Sequence, residues 1–307
     1  MSPLSNNMIM SRVASGGGGG GGIGSGDPYG SSFTYRIKNS VTLRNGSDAP
    51  GMSYAYDGRS ATLGNLDPVG GCFVLESAER NTGNGNKKFT FSFWIKGRHV
   101  GTILRHYDDG DSIAFDADDK LVISVDEFSA RGEFFQLTTE QRFADDTDWS
   151  HFVIAVDTTL SNATDRIKIW NNGRAIQYNS SSAISQDTTF SFYDGAVALF
   201  VDYLGQGGGM DARFADIKYV DNQQLSASDF GSRDANTDEW LPIAYTFSNS
   251  SGDNSWELKF DDLSGNTKTT VGKDTSGNGC HFTPYYIYAR EETDDEHCVY
   301  IQNADSG

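Results

Sequence analysis

The sequence predicts an all-β fold, a sandwich or jelly roll, and three observations carry that expectation. Short apolar segments recur about 8–15 residues apart, separated by Asn-Gly, Asp-Gly and Asn-Asn-Gly turns. Phe89, Phe91 and Phe93 alternate with Thr90 and Ser92, the period-2 pattern of a half-buried strand. Helical spacing of apolar residues is nearly absent. The one good helical turn runs from Ser226 to Phe230, where Ser226 and Asp229 have capping spacing and Gly231 follows as a stop.

Residues 1–31 stand apart in composition, with seven consecutive glycines at Gly16–Gly22 followed by IGSGDPYG. A segment with no side chains to bury loses the most backbone entropy on ordering, so taken alone it reads as a linker. Polyglycine can also lie flush against another backbone. The sharper reading is therefore an assembly arm, with Met8, Ile9, Met10 and Val13 as its apolar anchor.

From residue 32 to 288 the text is strand-like. The expected strands are Phe33–Lys38, Cys72–Leu75, Phe89–Lys96, His99–Arg105, Ser112–Phe115, Leu121–Val125 and Phe134–Leu137. They continue with His151–Asp157, Arg166–Trp170, Ala175–Tyr178, Ala196–Val201, Ala212–Val220, Trp256–Phe260 and Pro284–Tyr288. Asn171-Asn172-Gly173, between IKIW and RAIQY, is a strong hairpin signal. Residues 289–307, AREETDDEHCVYIQNADSG, read as a solvated acidic tail.

Composition sets outer limits. The 307 residues are 37% hydrophobic and 12% aromatic, enough for one large β-domain with a real core. Lys plus Arg number 24 against 42 Asp plus Glu, a net charge of -18, which repels phosphate backbones and anionic lipid; neither nucleic acid nor membrane is an expected partner. Three cysteines, Cys72, Cys280 and Cys298, without CxxC spacing, fit reduced thiols better than a disulfide framework or a zinc site. The first residues, MSPLSNNMIMSRVAS, lack the apolar core of a signal peptide, and no run reaches the roughly 18 apolar residues of a membrane span. The expected setting is a reducing cytoplasm.

Several residues invite chemistry. His151 sits beside Trp149 and Phe152 with no nucleophile signature nearby, and reads as a structural histidine. Asp108, Asp109, Asp111, Asp116, Asp118 and Asp119 make an acidic hairpin region whose spacing is not that of an EF-hand, so no metal is expected. Glu292-Thr293-Asp294-Asp295-Glu296 has the i, i+2, i+4 carboxylates of a glucanase strand, but lies in the tail, outside the expected sandwich. The loop Gly205–Gly209 lacks the lysine and helix start of a phosphate loop. No cofactor is called for.

Five segments in order carry a family resemblance: FTFSFWIKG, DWSHFV followed by VDTT, DRIKIWNNGRAI, DIKYVDNQQLSASDFG, and DTSGNGCHFTP, together with Trp240-x-Pro242-x-x-Tyr245. Over about residues 72 to 284 the chain resembles the laminin-G-like, concanavalin A-like sandwich modules of tailed-bacteriophage structural proteins. The last segment departs from the pattern, carrying Cys280 where asparagine is usual. The resemblance implies a concanavalin A-like jelly-roll sandwich behind a glycine-rich arm, in a non-enzymatic virion protein. Its implied place is the tail, a fibre or a capsid decoration, assembled in the host cytoplasm. The implied partners are other virion proteins and further copies of the chain, a trimer being one arrangement.

A glycan on the host surface is the alternative partner. Loops carry function more often than strands, and one end of a sandwich presents its loops together. The expected contacts lie around Tyr107–Asp111 and Gly205–Asp211. Tyr107 would stack on a sugar while Asp108, Asp109, Asp111 and Asp211 accept hydroxyl hydrogen bonds.

Overall fold

The computed structural model describes residues 40–43, 72–76, 87–98, 100–106, 111–125, 135–144, 148–180, 183–193, 196–200, 211–248, 251–285 and 298–301. The arm with Met8, Ile9, Met10 and Val13, the segment Phe33–Lys38 and the motif Glu292–Glu296 lie outside them. In chain order the strands are β1 (Ser40–Leu43), β2 (Cys72–Leu75), β3 (Lys88–Arg98), β4 (Gly101–His106), β5 (Ser112–Phe115) and β6 (Leu121–Val125). Next come β7 (Phe135–Thr139), β8 (Ser150–Asp157), β9 (Ile167–Asn171), β10 (Arg174–Ala175), β11 (Tyr178–Ser180) and β12 (Val197–Leu199). The last six are β13 (Asp211–Asp221), β14 (Gly231–Arg233), β15 (Trp240–Pro242), β16 (Trp256–Leu258), β17 (Thr283–Tyr285) and β18 (Cys298–Ile301).

They form the expected all-β sandwich. One large sheet runs β10-β9-β8-β3-β13-β1-β18, with β16 also paired to β13; a second runs β11-β7-β6-β5-β4-β12-β2-β17; β14 and β15 form a separate two-stranded sheet. The segment from Trp256 onward is the returning chain that completes both sheets, β16 joining the first and β17 the second. Among the described residues every pairing is antiparallel except β1 with β18. No helix among the described residues is long and apolar enough to cross a membrane.

The core lies between the sheets and is built largely of aromatic rings. Phe91, Phe93, Phe152 and Phe214 from the first sheet, and Phe73 and Phe115 from the second, are all within 2% of complete burial. Phe152 joins the sheets, stacked on Phe93 at 5.5 Å and edge-on to Phe115 at 5.3 Å. A β-bulge keeps β13 in phase with this core. Phe214 and Ile217 are three residues apart, which would place them on opposite faces of a regular strand. The register shifts between Ala215 and Lys218, with Asp216 at φ 48, so that both reach the core.

The first sheet is covered on its other face as well. The alternation of Phe89–Phe93 predicts one buried face, yet Thr90, Ser92 and Trp94 are also at most 1% exposed. The covering layer is the segment after β13. Leu225, Ala227, Phe230, Trp240, Tyr245 and Phe247 pack against Val153, Trp170 and Val220, and Trp240 also packs against Trp94, Trp149 and Ala215. The expected helical turn is present as a 3-10 turn, Ala227–Asp229. The Asp229 carboxylate accepts from the Ser226 N–H and hydroxyl, both at 2.8 Å. Gly231 has another role than a helix stop: it opens β14, and a Cβ there would stand 2.5 Å from the Trp240 ring.

The Asp274–Gly279 turn is explained by its own backbone needs. The Asp274 carboxylate accepts from the N–H groups of Glu257, Ser276 and Cys280 at 2.8–3.0 Å, and Gly277 and Gly279 take positive φ. Cys72 and Cys280 are buried free thiols, and burial pushes the Cys72 thiol up to about 12. The side chain of Cys298, in β18, is outside the described residues.

Candidate functional site

Most of the residues expected to touch a glycan lie outside the described residues: Tyr107, Asp108, Asp109 and the loop Gly205–Gly209. Asp211 opens β13 opposite Arg98, and its side chain is likewise undescribed. The described ends of the two loops leave opposite ends of β4. His106 pairs with Val197, whereas the chain after β12 continues past Phe200, whose N–H bonds Ile103 O. At their described anchors, His106 and Phe200, the two loops therefore do not start from one end of β4.

The expectation for Asp111 is corrected. It is completely buried, and its carboxylate accepts from the Ser191 N–H at 2.6 Å while its own carbonyl accepts from His106 N. It ties the β4–β5 loop to the 3-10 turn Ser191–Tyr193 rather than facing a ligand. In the neighbouring hairpin, Asp116 caps its own turn, accepting from the N–H groups of Asp118 and Lys120, and Asp118 pairs with Arg142 at 2.7 Å.

A different place combines aromatic and polar groups. An open groove of about 450 Å³ lies where the β9–β10 turn meets the loop between β14 and β15. Its walls carry Trp149 and Trp240, the amides Gln141, Asn171 and Asn172, the guanidiniums of Arg174 and Arg233, and Thr237, Asp238 and Glu239. The local sequence builds it. Asn172 and Gly173 take φ 47 and 74, the left-handed pair of a tight hairpin turn, and the turn delivers Arg174 to the rim, three-quarters exposed. The Asp234 carboxylate folds the opposite loop by accepting from the N–H groups of Asn236 and Thr237, bonds that hold its pKa below the ordinary carboxylate value. Asp238 follows at φ 59.

Trp240 fixes the wall between the two loops. Its ring is wedged against Gly173 and Gly231, where any Cβ would come within 2.5 Å, and the Arg233 guanidinium lies 5.8 Å above it. Its indole N–H donates to His151 Nδ1 at 2.9 Å. Arg233 is itself pinned, donating from Nη1 to Asp238 O and from Nη2 to Asn172 O, both at 2.8 Å. One guanidinium thus clamps both walls.

His151 stands beneath this groove, 1% exposed, its ring stacked on Trp94 at 4.5 Å and its Nε2 2.8 Å from Ser92 Oγ. A serine–histidine pair at that distance invites a nucleophilic reading, and the indole excludes it. Trp240 can only donate, so Nδ1 must be the unprotonated nitrogen, Nε2 carries the proton, and Ser92 Oγ accepts. A general base needs the opposite tautomer. His151 is structural, as its sequence context suggests.

Burial, with the Lys218 charge adding to it, holds the His151 pKa well below the usual imidazole value. The neutral ring is the folded form, so its contribution is complete above the unfolded pKa of about 6.5 and is lost as pH falls below it, by at most ~1.4 kcal/mol per pH unit. His151→Gln is expected to be destabilised at pH 7.5, and the gap in melting temperature from wild type to narrow toward pH 5. A gap that stays constant would contradict this role.

The groove is not legible in the sequence because its parts carry other signals: DWSHFV and Trp240 read as family motifs, and Asn171-Asn172-Gly173 as a hairpin turn. The usable signal was a tryptophan closing an acidic loop, Asp234 to Trp240, with arginines at 174 and 233 in an otherwise acidic chain.

No protein-family model matches the chain. No curated protein matches it either. Among solved structures it is similar to a protein of Bacteroides ovatus ATCC 8483 named for carbohydrate binding, at 12% identity over 71% of this chain and 58% of that one, TM-score 0.45. It is similar to domains LG4-5 of the mouse laminin alpha1 chain, at 12% identity over 51% and 40%, TM-score 0.36. It is also similar to tailspike protein 2 of the Escherichia coli O157:H7 bacteriophage CAB120, at 14% identity over 51% and 22%, TM-score 0.31. These likenesses concern the sandwich fold, and they add nothing to the site beyond what its own residues establish.

Proposed function

We propose that the chain is a non-enzymatic accessory or structural protein of a bacteriophage virion, and that its lectin-like sandwich contacts a host-surface glycan through the Trp149–Trp240 groove. The groove carries the glycan reading: indole surface, amides, guanidiniums and carboxylates converge on one open cleft, the mixture that sugar hydroxyls and ring faces need. The virion setting rests on the ordered family motifs. Within it the glycine-rich arm would hold the chain on other virion proteins and on further copies of itself. In favour of binding over hydrolysis, the groove's carboxylates, Asp238 and Glu239, are consecutive on one wall, whereas glycosidic cleavage uses a pair flanking the bond.

The test is an array of bacterial surface polysaccharides probed with the full chain and with Gln141→Trp. Gln141 is exposed at the groove, and its fold contact is through its backbone carbonyl, which accepts from the Thr139 hydroxyl at 3.0 Å. The larger side chain should fill the cleft and leave the sandwich intact. Reproducible wild-type binding that falls at least about tenfold in the variant, roughly 1.4 kcal/mol, is expected. Binding untouched by the substitution would place the contact elsewhere.

A further inference from the structure

We infer that the groove selects acidic glycans, its Arg174–Arg233 fork seating a sugar carboxylate where the Asp238 side chain lies in the free protein. This rests on the glycan reading above and adds the chemical class of the ligand.

The two guanidiniums come from different elements and converge on one carboxylate. Arg233 Nη1 is 3.6 Å from Asp238 Oδ1, and Arg174 Nη2 is 4.0 Å from Oδ2. Both separations exceed the 2.7–2.9 Å or so of a charge-assisted hydrogen bond, so Asp238 sits near the fork without closing it. Its side chain is three-quarters exposed, like that of Arg174, so the contact is a weakly held surface pair. Arg233 differs. Two backbone carbonyls and the Trp240 ring fix its position, and those two bonds use only two of its five N–H donors. An oriented guanidinium facing a second one across an open cleft is a receptor for a planar anion.

The charge of the whole molecule sharpens the point. The net charge of -18 opposes an acidic ligand, so binding one requires the local positive charge of the fork to outweigh that repulsion. Asp238 then acts as an internal occupant that a ligand carboxylate displaces by making shorter, two-toothed contacts.

Matched probes test this: oligogalacturonide against galacto-oligosaccharide, and sialyllactose against lactose, each titrated into the full chain, Arg174→Gln and Asp238→Asn. Both substitutions lie at exposed side chains and should leave the melting temperature unchanged. The expected result is wild-type preference for an acidic member by about tenfold or more, loss of that preference in Arg174→Gln, and several-fold tighter acidic binding in Asp238→Asn. Equal affinity within both pairs, or a preference that survives Arg174→Gln, would overturn the inference. In those cases binding that Gln141→Trp still abolishes would leave the groove reading standing. Absence of wild-type binding both to these probes and to the polysaccharide array would overturn both.

Discussion

Phe93→Ala is expected to destabilise the fold by about 3–5 kcal/mol. The ring is completely buried at the centre of the aromatic core, 5.2 Å from Phe91, 5.5 Å from Phe152 and 6.1 Å from Phe214. Truncation removes its burial and leaves a cavity that three rigid neighbouring rings cannot readily collapse into. For a domain of this size that corresponds to a fall in melting temperature of roughly 6–20 °C. Thermal unfolding of the purified variant measures it. An unchanged midpoint would mean that Phe93 does not face the core.

Lys218→Met should be comparably severe, about 3–5 kcal/mol, for an electrostatic reason. Lys218 is 1% exposed and bridges the Asp216 and Glu257 carboxylates, each 3% exposed. Glu257 keeps Lys259 at 3.1 Å and the Thr275 hydroxyl at 2.8 Å, but loses the cation it shares with the bulge residue Asp216. Removing one member of a buried ion network leaves charge uncompensated, whereas neutralising all of it together need not destabilise. Lys218→Met combined with Asp216→Asn and Glu257→Gln should therefore recover most of the loss in denaturant unfolding. A loss below about 1 kcal/mol in the single variant would place the cluster in contact with water.

These two sites also show where the sequence was readable and where it was not. Phe93 announces itself, because alternation over five residues leaves one way to bury three phenylalanines. The short strands and the Asn171-Asn172-Gly173 hairpin were legible for the same reason: their signals are local. Lys218 gave no such signal. In sequence it is the polar side of a half-buried strand, and its buried pairing depends on the register shift at Asp216 and on the distant strand β16, which brings up Glu257. Ser92 and His151 were hidden in the same way. Asp111 reads as a loop carboxylate for a ligand, yet a backbone amide 80 residues away claims it. The groove required three distant segments, around Trp149, Asn172 and Trp240, to meet, and nothing in any one of them foretells the others.

A host-surface glycan is proposed to occupy the groove between the β9–β10 turn and the loop before Trp240. Hydrogen–deuterium exchange of the full chain, with and without a polysaccharide fragment that scores on the array, tests it most directly. Protection is expected at residues 171–174 and 233–240, with the core strands unchanged. Protection confined to other segments, such as 107–111 or 201–211, with residues 171–174 and 233–240 exchanging as in the free protein, would contradict it.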